Sequence, residues 1–145
     1  MANLARAIAL ASEAHVEQRE KSGAPYIMHP LRLMLRMQTE AEMIVAVLHD
    51  VVEDTPWTLD QLRAEGFPDE IIQAIDCVTR RLDETYEQFV DRARDNAIAR
   101  KVKLADLEDN MDLRRLPDLT AKSLERMKEY HDAWLSLRAA ERVSP

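Results

Sequence analysis

Ala41-Glu42-Met43-Ile44-Val45-Ala46-Val47-Leu48 runs without a break into His49-Asp50-Val51-Val52-Glu53-Asp54. The first eight residues are apolar apart from Glu42 and carry no polar stripe, the pattern of a helix buried nearly all round. The next six place one imidazole and three carboxylates on the end of that apolar rod. Residues four apart share a helix face, so His49 is predicted to pair with Glu53 and Asp50 with Asp54. A solvated helix end is the plain explanation for such charge. Acids at a helix C-terminus oppose its dipole, however, and cations would serve stability better there. A divalent cation with bound phosphates would satisfy the strip. The helix is predicted to end near Thr55-Pro56.

On either side of this rod the chain reads as further helices. Asn3 to Arg19 carries a stripe at Leu4, Ala7, Ile8, Ala11 and Ala14, and Lys21-Ser22-Gly23-Ala24-Pro25 breaks it. Tyr26 to Gln38 forms a second helix around Pro30, which a first turn tolerates. Thr58-x-x-Gln61 is a capping box for a short helix that stops at Gly66. Pro68 to Thr79 turns Ile71, Ile72, Ile75 and Val78 inward, and Glu84 to Asp95 follows as another helix. Ile98 to Leu116 and Thr120 to Val143 complete the chain, the last with Leu124, Met127, Trp134 and Leu137 facing in. No alternating strand pattern, repeat or low-complexity segment interrupts this reading. The expectation is an all-α bundle of about seven to eight helices, one domain over residues 1–145.

Composition narrows the chemistry. Two glycines, Gly23 and Gly66, fall far below the average share of about 7% and exclude glycine-rich phosphate loops. The single cysteine, Cys77, excludes a disulfide framework or thiolate cluster and reads as a small buried filler. A net charge of −7 argues against double-stranded nucleic acid as a partner, because that binding needs a basic face. No signal peptide or bilayer-spanning run is visible, so a soluble, cytoplasmic protein with no membrane partner is expected. Arg6, Arg63, Arg80 and Arg81 read as solvated surface, His15 as a helix-end hydrogen bonder and His131 as exposed; Trp57 either rims a cleft or packs its loop.

Two further places could complete a site with the His49–Asp54 strip. His29 stands between Met28 and Pro30 as the second helix begins. Further on, Lys103, Asp106 and Asn110 fall at helical spacing on one face with Leu113, and Asp106 sits among apolar or small neighbours. Glu108 and Asp109 read as a salt-bridged surface. Two imidazoles and two carboxylates suit Mn²⁺, Fe²⁺ or Zn²⁺ better than Mg²⁺ or Ca²⁺, which favour all-oxygen shells.

The order His29, His49-Asp50, Asp106 resembles the signature of the HD metal-dependent phosphohydrolase superfamily. Lys21-Ser22-Gly23-Ala24-Pro25-Tyr26-Ile27-Met28-His29-Pro30, Leu48 to Thr55, and Lys103-Leu104-Ala105-Asp106 with Asn110-Met111 resemble the hydrolase domain of RelA/SpoT proteins more closely still. Those enzymes remove the 3′-pyrophosphate from the alarmones ppGpp and pppGpp using Mn²⁺. The resemblance runs from about His15 to Met111 and implies a stand-alone alarmone hydrolase. It implies a Mn²⁺ ion held by His29, His49, Asp50 and Asp106, with Glu53 and Asp54 managing the proton of an activated water. Lys21 and Arg19 would meet the pyrophosphate of a nucleotide substrate, Asn110 would meet the ribose, and Lys103 would meet phosphate or pair with an acid.

The departures lie at the other end of the substrate. Glu20 stands where alarmone hydrolases have an arginine that stacks on guanine, and Leu113 where they have a threonine near the base. The metal and phosphate residues are intact while the base-reading residues are altered. Hydrolysis of a nucleotide phosphate ester or pyrophosphate with weak or altered selectivity for guanine is therefore expected. The rivals are an HD phosphohydrolase for an adenine alarmone or NADPH, and a non-catalytic nucleotide-binding module. Retention of both Glu53 and Asp54 argues against the latter.

Overall fold

Three helices begin with the same device. Thr39, Thr58 and Thr85 each accept the backbone N–H three residues on, and Glu42, Gln61 and Gln88 reach back to the cap. Each reciprocal pair satisfies donors that a helix start leaves open. The computed structural model describes residues 2–143. Its helices are α1 (Leu4–Ala14), α2 (Met28–Leu35), α3 (Glu40–Leu48), α4 (Val51–Asp54), α5 (Leu59–Ala64), α6 (Asp69–Cys77), α7 (Tyr86–Arg94), α8 (Ala97–Asn110) and α9 (Ala121–Val143), with a 3-10 turn at Leu113–Arg115. The fold is an all-α bundle. Among the described residues the only strand-like feature is an isolated bridge between Arg19 and Pro25.

α3 is the axle. Ile44, Val45, Ala46, Val47 and Leu48 are all buried, and α3 packs against α1, α2, α6 and α8. Truncating such a side chain, as in Leu48→Ala, costs about 2–5 kcal/mol. α8 belongs to two cores at once. Ala99, Val102 and Ala105 join the α3 core, while Leu104 and Leu107 meet Val90 of α7 and Ala133 and Leu137 of α9. A helix held on two sides is a rigid mount for side chains on its remaining face.

Several sequence expectations are corrected. The first helix stops at Ala14 rather than Arg19. Buried His15 turns its ring onto Gln18 and Tyr26, and the chain leaves in a loop closed by the Arg19–Pro25 bridge, with Gly23 at φ +93°. α8 ends at Asn110 rather than Leu116, because Asp112 caps a separate 3-10 turn with its own side chain. Leu113 therefore does not share the face of Asp106 and is exposed, as is Leu124 on α9. Cys77 is half-buried against the core, and Trp57 packs there too.

Candidate metal centre and active-site cavity

The apolar rod and its acidic end are two elements, not one. At the end of α3 the His49 N–H reaches back to the Ala46 carbonyl, and Asp50 takes φ −104°, ψ 0° before α4 begins. In an unbroken helix, adjacent side chains diverge by about 100° and cannot meet at one point. The break lets them meet: His49 Nε2 lies 3.0 Å from Asp50 Oδ2. The expected continuous strip of His49 over Glu53 is thereby corrected, since the two stand on different short elements.

Two other helices close the cluster. His29, in the first turn of α2, places Nε2 2.9 Å from Asp106 Oδ1 of α8, and His49 Nε2 lies 3.5 Å from the same oxygen. The two rings are 5.2 Å apart. Both imidazoles turn the same nitrogen inward. His49 Nδ1 is 2.7 Å from the Ala46 carbonyl, which can only accept, so Nδ1 carries the proton and Nε2 offers its lone pair. His29 Nδ1 is 2.5 Å from Asp109 Oδ2, the kind of backing carboxylate that orients metal-binding histidines. Lys103 Nζ and Asn110 Nδ2 hold Asp106 at 3.0 and 3.1 Å, and the Tyr26 hydroxyl donates to Asp50.

His49 Nε2 is buried and completes no hydrogen bond. Such an orphan calls for a partner. His29, His49 and Asp50 offer ligand atoms within 4.8 Å of one another, and Asp106 touches both imidazoles. A nitrogen–oxygen donor set of this kind fits a borderline divalent cation. Burial favours neutral imidazoles, but Asp50 and Asp106 outweigh it and raise His49 well above its ordinary basicity. His29 is raised against burial by Asp106 and Asp109. Asp106 moves the opposite way: burial resists its ionisation, yet Lys103 and the two histidines hold it well below the usual carboxylate range. A cation at this place competes with the protons these groups share.

Above the cluster opens a cavity of about 440 Å³ with Glu53 and Asp54 on its wall. Glu53 accepts the Arg80 backbone N–H at 2.8 Å, and burial raises its carboxyl. Burial, then the charges of Asp50 and Glu53, push Asp54 up to about 6. Arg80 lines this cavity, which corrects its reading as plain surface. Arg126 and Tyr130 of α9 also line it, and the sequence reading missed them. Their i, i+4 spacing was the one signal available, and a solvated helix face has the same spacing. Lys103 is buried in its salt bridge to Asp106 and lies over the Phe89 ring.

A second cavity of about 220 Å³ shares Tyr26, Asn110, Arg115, Arg126 and Tyr130 with the first. Arg19 and Lys21 line this smaller space. Glu20 is not an open charge facing it. Its side chain is 2% exposed and pairs with Arg32 at 2.5 Å and Arg115 at 2.8 Å. Leu113 lines neither cavity.

Residues 7–129 match the family model described as HD domain. The chain belongs to the HD domain family. The guanosine-3′,5′-bis(diphosphate) 3′-pyrophosphohydrolase MESH1 of Mus musculus is 33% identical over 145 residues, covering 90% of this chain and 80% of that protein. The guanosine-3′,5′-bis(diphosphate) 3′-pyrophosphohydrolase of Aquifex aeolicus is 30% identical over 118 residues, covering 73% of this chain. This HD domain spans only 17% of that relative's length. A solved structure described as a metazoan ortholog of SpoT that hydrolyzes ppGpp superposes with a TM-score of 0.71 at 23% identity, over 98% of this chain and 95% of that one. The fold of this HD domain is thus that of the ortholog.

Proposed function

We propose that this chain is a divalent-metal-dependent phosphohydrolase that removes pyrophosphate from the 3′ position of a nucleotide, as a guanosine-3′,5′-bis(diphosphate) 3′-pyrophosphohydrolase does. One observation carries the reading: two buried imidazoles converge through Nε2 on Asp50 and Asp106 beneath a cavity walled by two further carboxylates. His29, His49, Asp50 and Asp106 would hold the ion, and Mn²⁺ suits their mixed donors. When bound, such an ion polarises phosphoryl oxygen and lowers the pKa of water.

The chain's own residues then divide the proton work. Asp54, with its carboxyl near 6, is shared between protonated and ionised forms close to neutral pH, and Glu53 is fixed by the Arg80 N–H. The ionised member of the pair accepts the proton of the water that attacks phosphorus. The protonated member donates to the ribose 3′-oxygen as its bond to phosphorus breaks. Arg80 and Arg126 stand in the same cavity as cations for the phosphates, and Arg19 and Lys21 are placed for them in the adjoining one. Asn110, on the wall of both, would meet the ribose.

Sequestration of Glu20 favours a second substrate within the same chemistry, an adenine alarmone or NADPH, since no open carboxylate reads the base. The test is a Mn²⁺ screen of guanosine and adenosine 3′-pyrophosphates, NADPH and nucleoside triphosphates, following pyrophosphate or phosphate release. Turnover of a 3′-pyrophosphate supports the proposal. A metal-loaded protein that releases nothing from any of them overturns it.

A further inference from the structure

Arg115 is the one side chain of the 3-10 turn that lines both cavities, and both of its terminal nitrogens are already committed. Its Nη1 donates to the Asp109 carbonyl and to Asn110 Oδ1, each at 3.0 Å, and lies 3.1 Å from Asp109 Oδ2. Its Nη2 donates to Glu20 Oε1 at 2.8 Å, and Nε is buried without a partner. A guanidinium held around its rim presents a cavity with its flat face. The side chain is 21% exposed and lines both cavities. Around it the smaller cavity offers the rings of Tyr26 and Tyr130 and the apolar Leu116 and Met127, a lining for a flat aromatic ligand. Arginine planes stack on such rings.

We propose that Arg115, held edge-on by Glu20, Asp109 and Asn110, is the platform on which the nucleobase stacks, and that this chain accordingly separates adenine from guanine weakly. The proposal rests on the nucleotide reading above and names the residue that grips the base. Glu20 acts as a positioning residue, touching Arg115 rather than the ligand. Stacking is tolerant of base identity because every base has a π face. Discrimination requires hydrogen bonds to the base edge, which an arginine with an occupied rim does not supply.

The test is calorimetric binding to the Mn²⁺-loaded full chain, using adenosine 3′,5′-bisphosphate, guanosine 3′,5′-bisphosphate and ribose 3,5-bisphosphate, which lacks the base. Wild type should bind the two purines within about fivefold of each other, since stacking is base-tolerant. Arg115→Ala should weaken both by roughly 5- to 50-fold and leave the baseless probe within about twofold. Glu20→Gln should weaken purine binding in wild type and add nothing to Arg115→Ala, the signature of one shared path. Bound Mn²⁺ and melting temperature check the fold. If Arg115→Ala loses metal, Arg115→Lys keeps the positive charge toward Glu20 and Asp109 and removes the plane. Equal loss for the baseless probe, unchanged purine binding, or wild-type purine binding by Arg115→Lys overturns the proposal. Binding that follows the expected pattern in a protein that hydrolyses none of the nucleotides overturns the hydrolase reading alone.

Discussion

His29 stands between two ionic clusters built from similar residues, and they differ in one respect. On its Nδ1 side, Glu20 and Asp109 face Arg32 and Arg115 in a closed set where acids and guanidiniums match. On its Nε2 side, Lys103 pairs with Asp106 alone, and among the described residues Asp50 has no cationic partner but His49. Glu53 and Asp54 stand close by, and a buried nitrogen of His49 is left over. Glu20, His29 and Asp109 also bring ligand atoms within 4.8 Å, so proximity alone does not distinguish the two sides. Charge balance and an unspent lone pair do. Where arginines neutralise the acids no metal is called for, and where they are missing a cation is expected.

The comparison breaks first on Asp106. Asp106→Ala should remove bound Mn²⁺ and lower kcat by more than about 10³-fold, the scale of losing metal-assisted activation. Metal analysis and turnover check it, and undiminished metal content would take Asp106 out of the ligand set. Glu53→Gln should keep the metal and the fold while kcat drops about 10²–10⁴-fold. Near-wild-type turnover would remove Glu53 from the proton path. On the closed side, Asp109→Asn should keep the metal site but weaken it, with Mn²⁺ affinity down about 10–100-fold because His29 loses its backing charge. An affinity equal to wild type would mean that the two clusters are not coupled through the imidazole.

The smallest effect concerns a pair that belongs to neither cluster. Arg92 grips Glu84 at 2.5 Å, and that ion pair brings Glu84 down to about 2 from its ordinary 4.5. A lowered carboxyl stabilises the fold above pH 4.5, and the contribution is lost as pH falls toward 2. Glu84→Gln should therefore cost about 1–2 kcal/mol at pH 7 and progressively less below pH 4.5. Urea melts at pH 7 and pH 3 compare the two conditions. A pH-independent difference would assign the effect to packing rather than charge.

The fold was legible because its signals are local. Thr58-x-x-Gln61 and the apolar run from Ile44 to Leu48 state a helix start and a buried helix without help from the rest of the chain. The break at His49-Asp50 was not legible, since no glycine or proline marks it. It follows from the side chains that meet there: the His49 ring bonds back to Ala46, and Asp50 receives Tyr26. The closed cluster was hidden for a related reason. Glu20 read as an open acid near the substrate because its partners, Arg32 and Arg115, are 12 and 95 residues away in sequence. Ligand candidates could be picked from residue type and order. Partners that neutralise or orient them depend on how loops return, which spacing does not record.

Glu42 shows how far from the centre its geometry is set. The same carboxylate that accepts the Gln38 and Thr39 N–H groups also pairs with Lys101 of α8 at 3.1 Å. It therefore works as a registration pin between the two helices that carry His49 and Asp106. From the pin, His49 lies about 10 Å along α3 and Asp106 about 8 Å along α8, at 1.5 Å per residue. Inserting one residue between Glu42 and His49 would advance one arm by about 1.5 Å and swing it by about 100°, with nothing on α8 to follow. Pro117, Asp118 and Leu119, exposed between the 3-10 turn and α9, carry no such obligation. Length variation is thus tolerable in that connection and ruinous along the two arms.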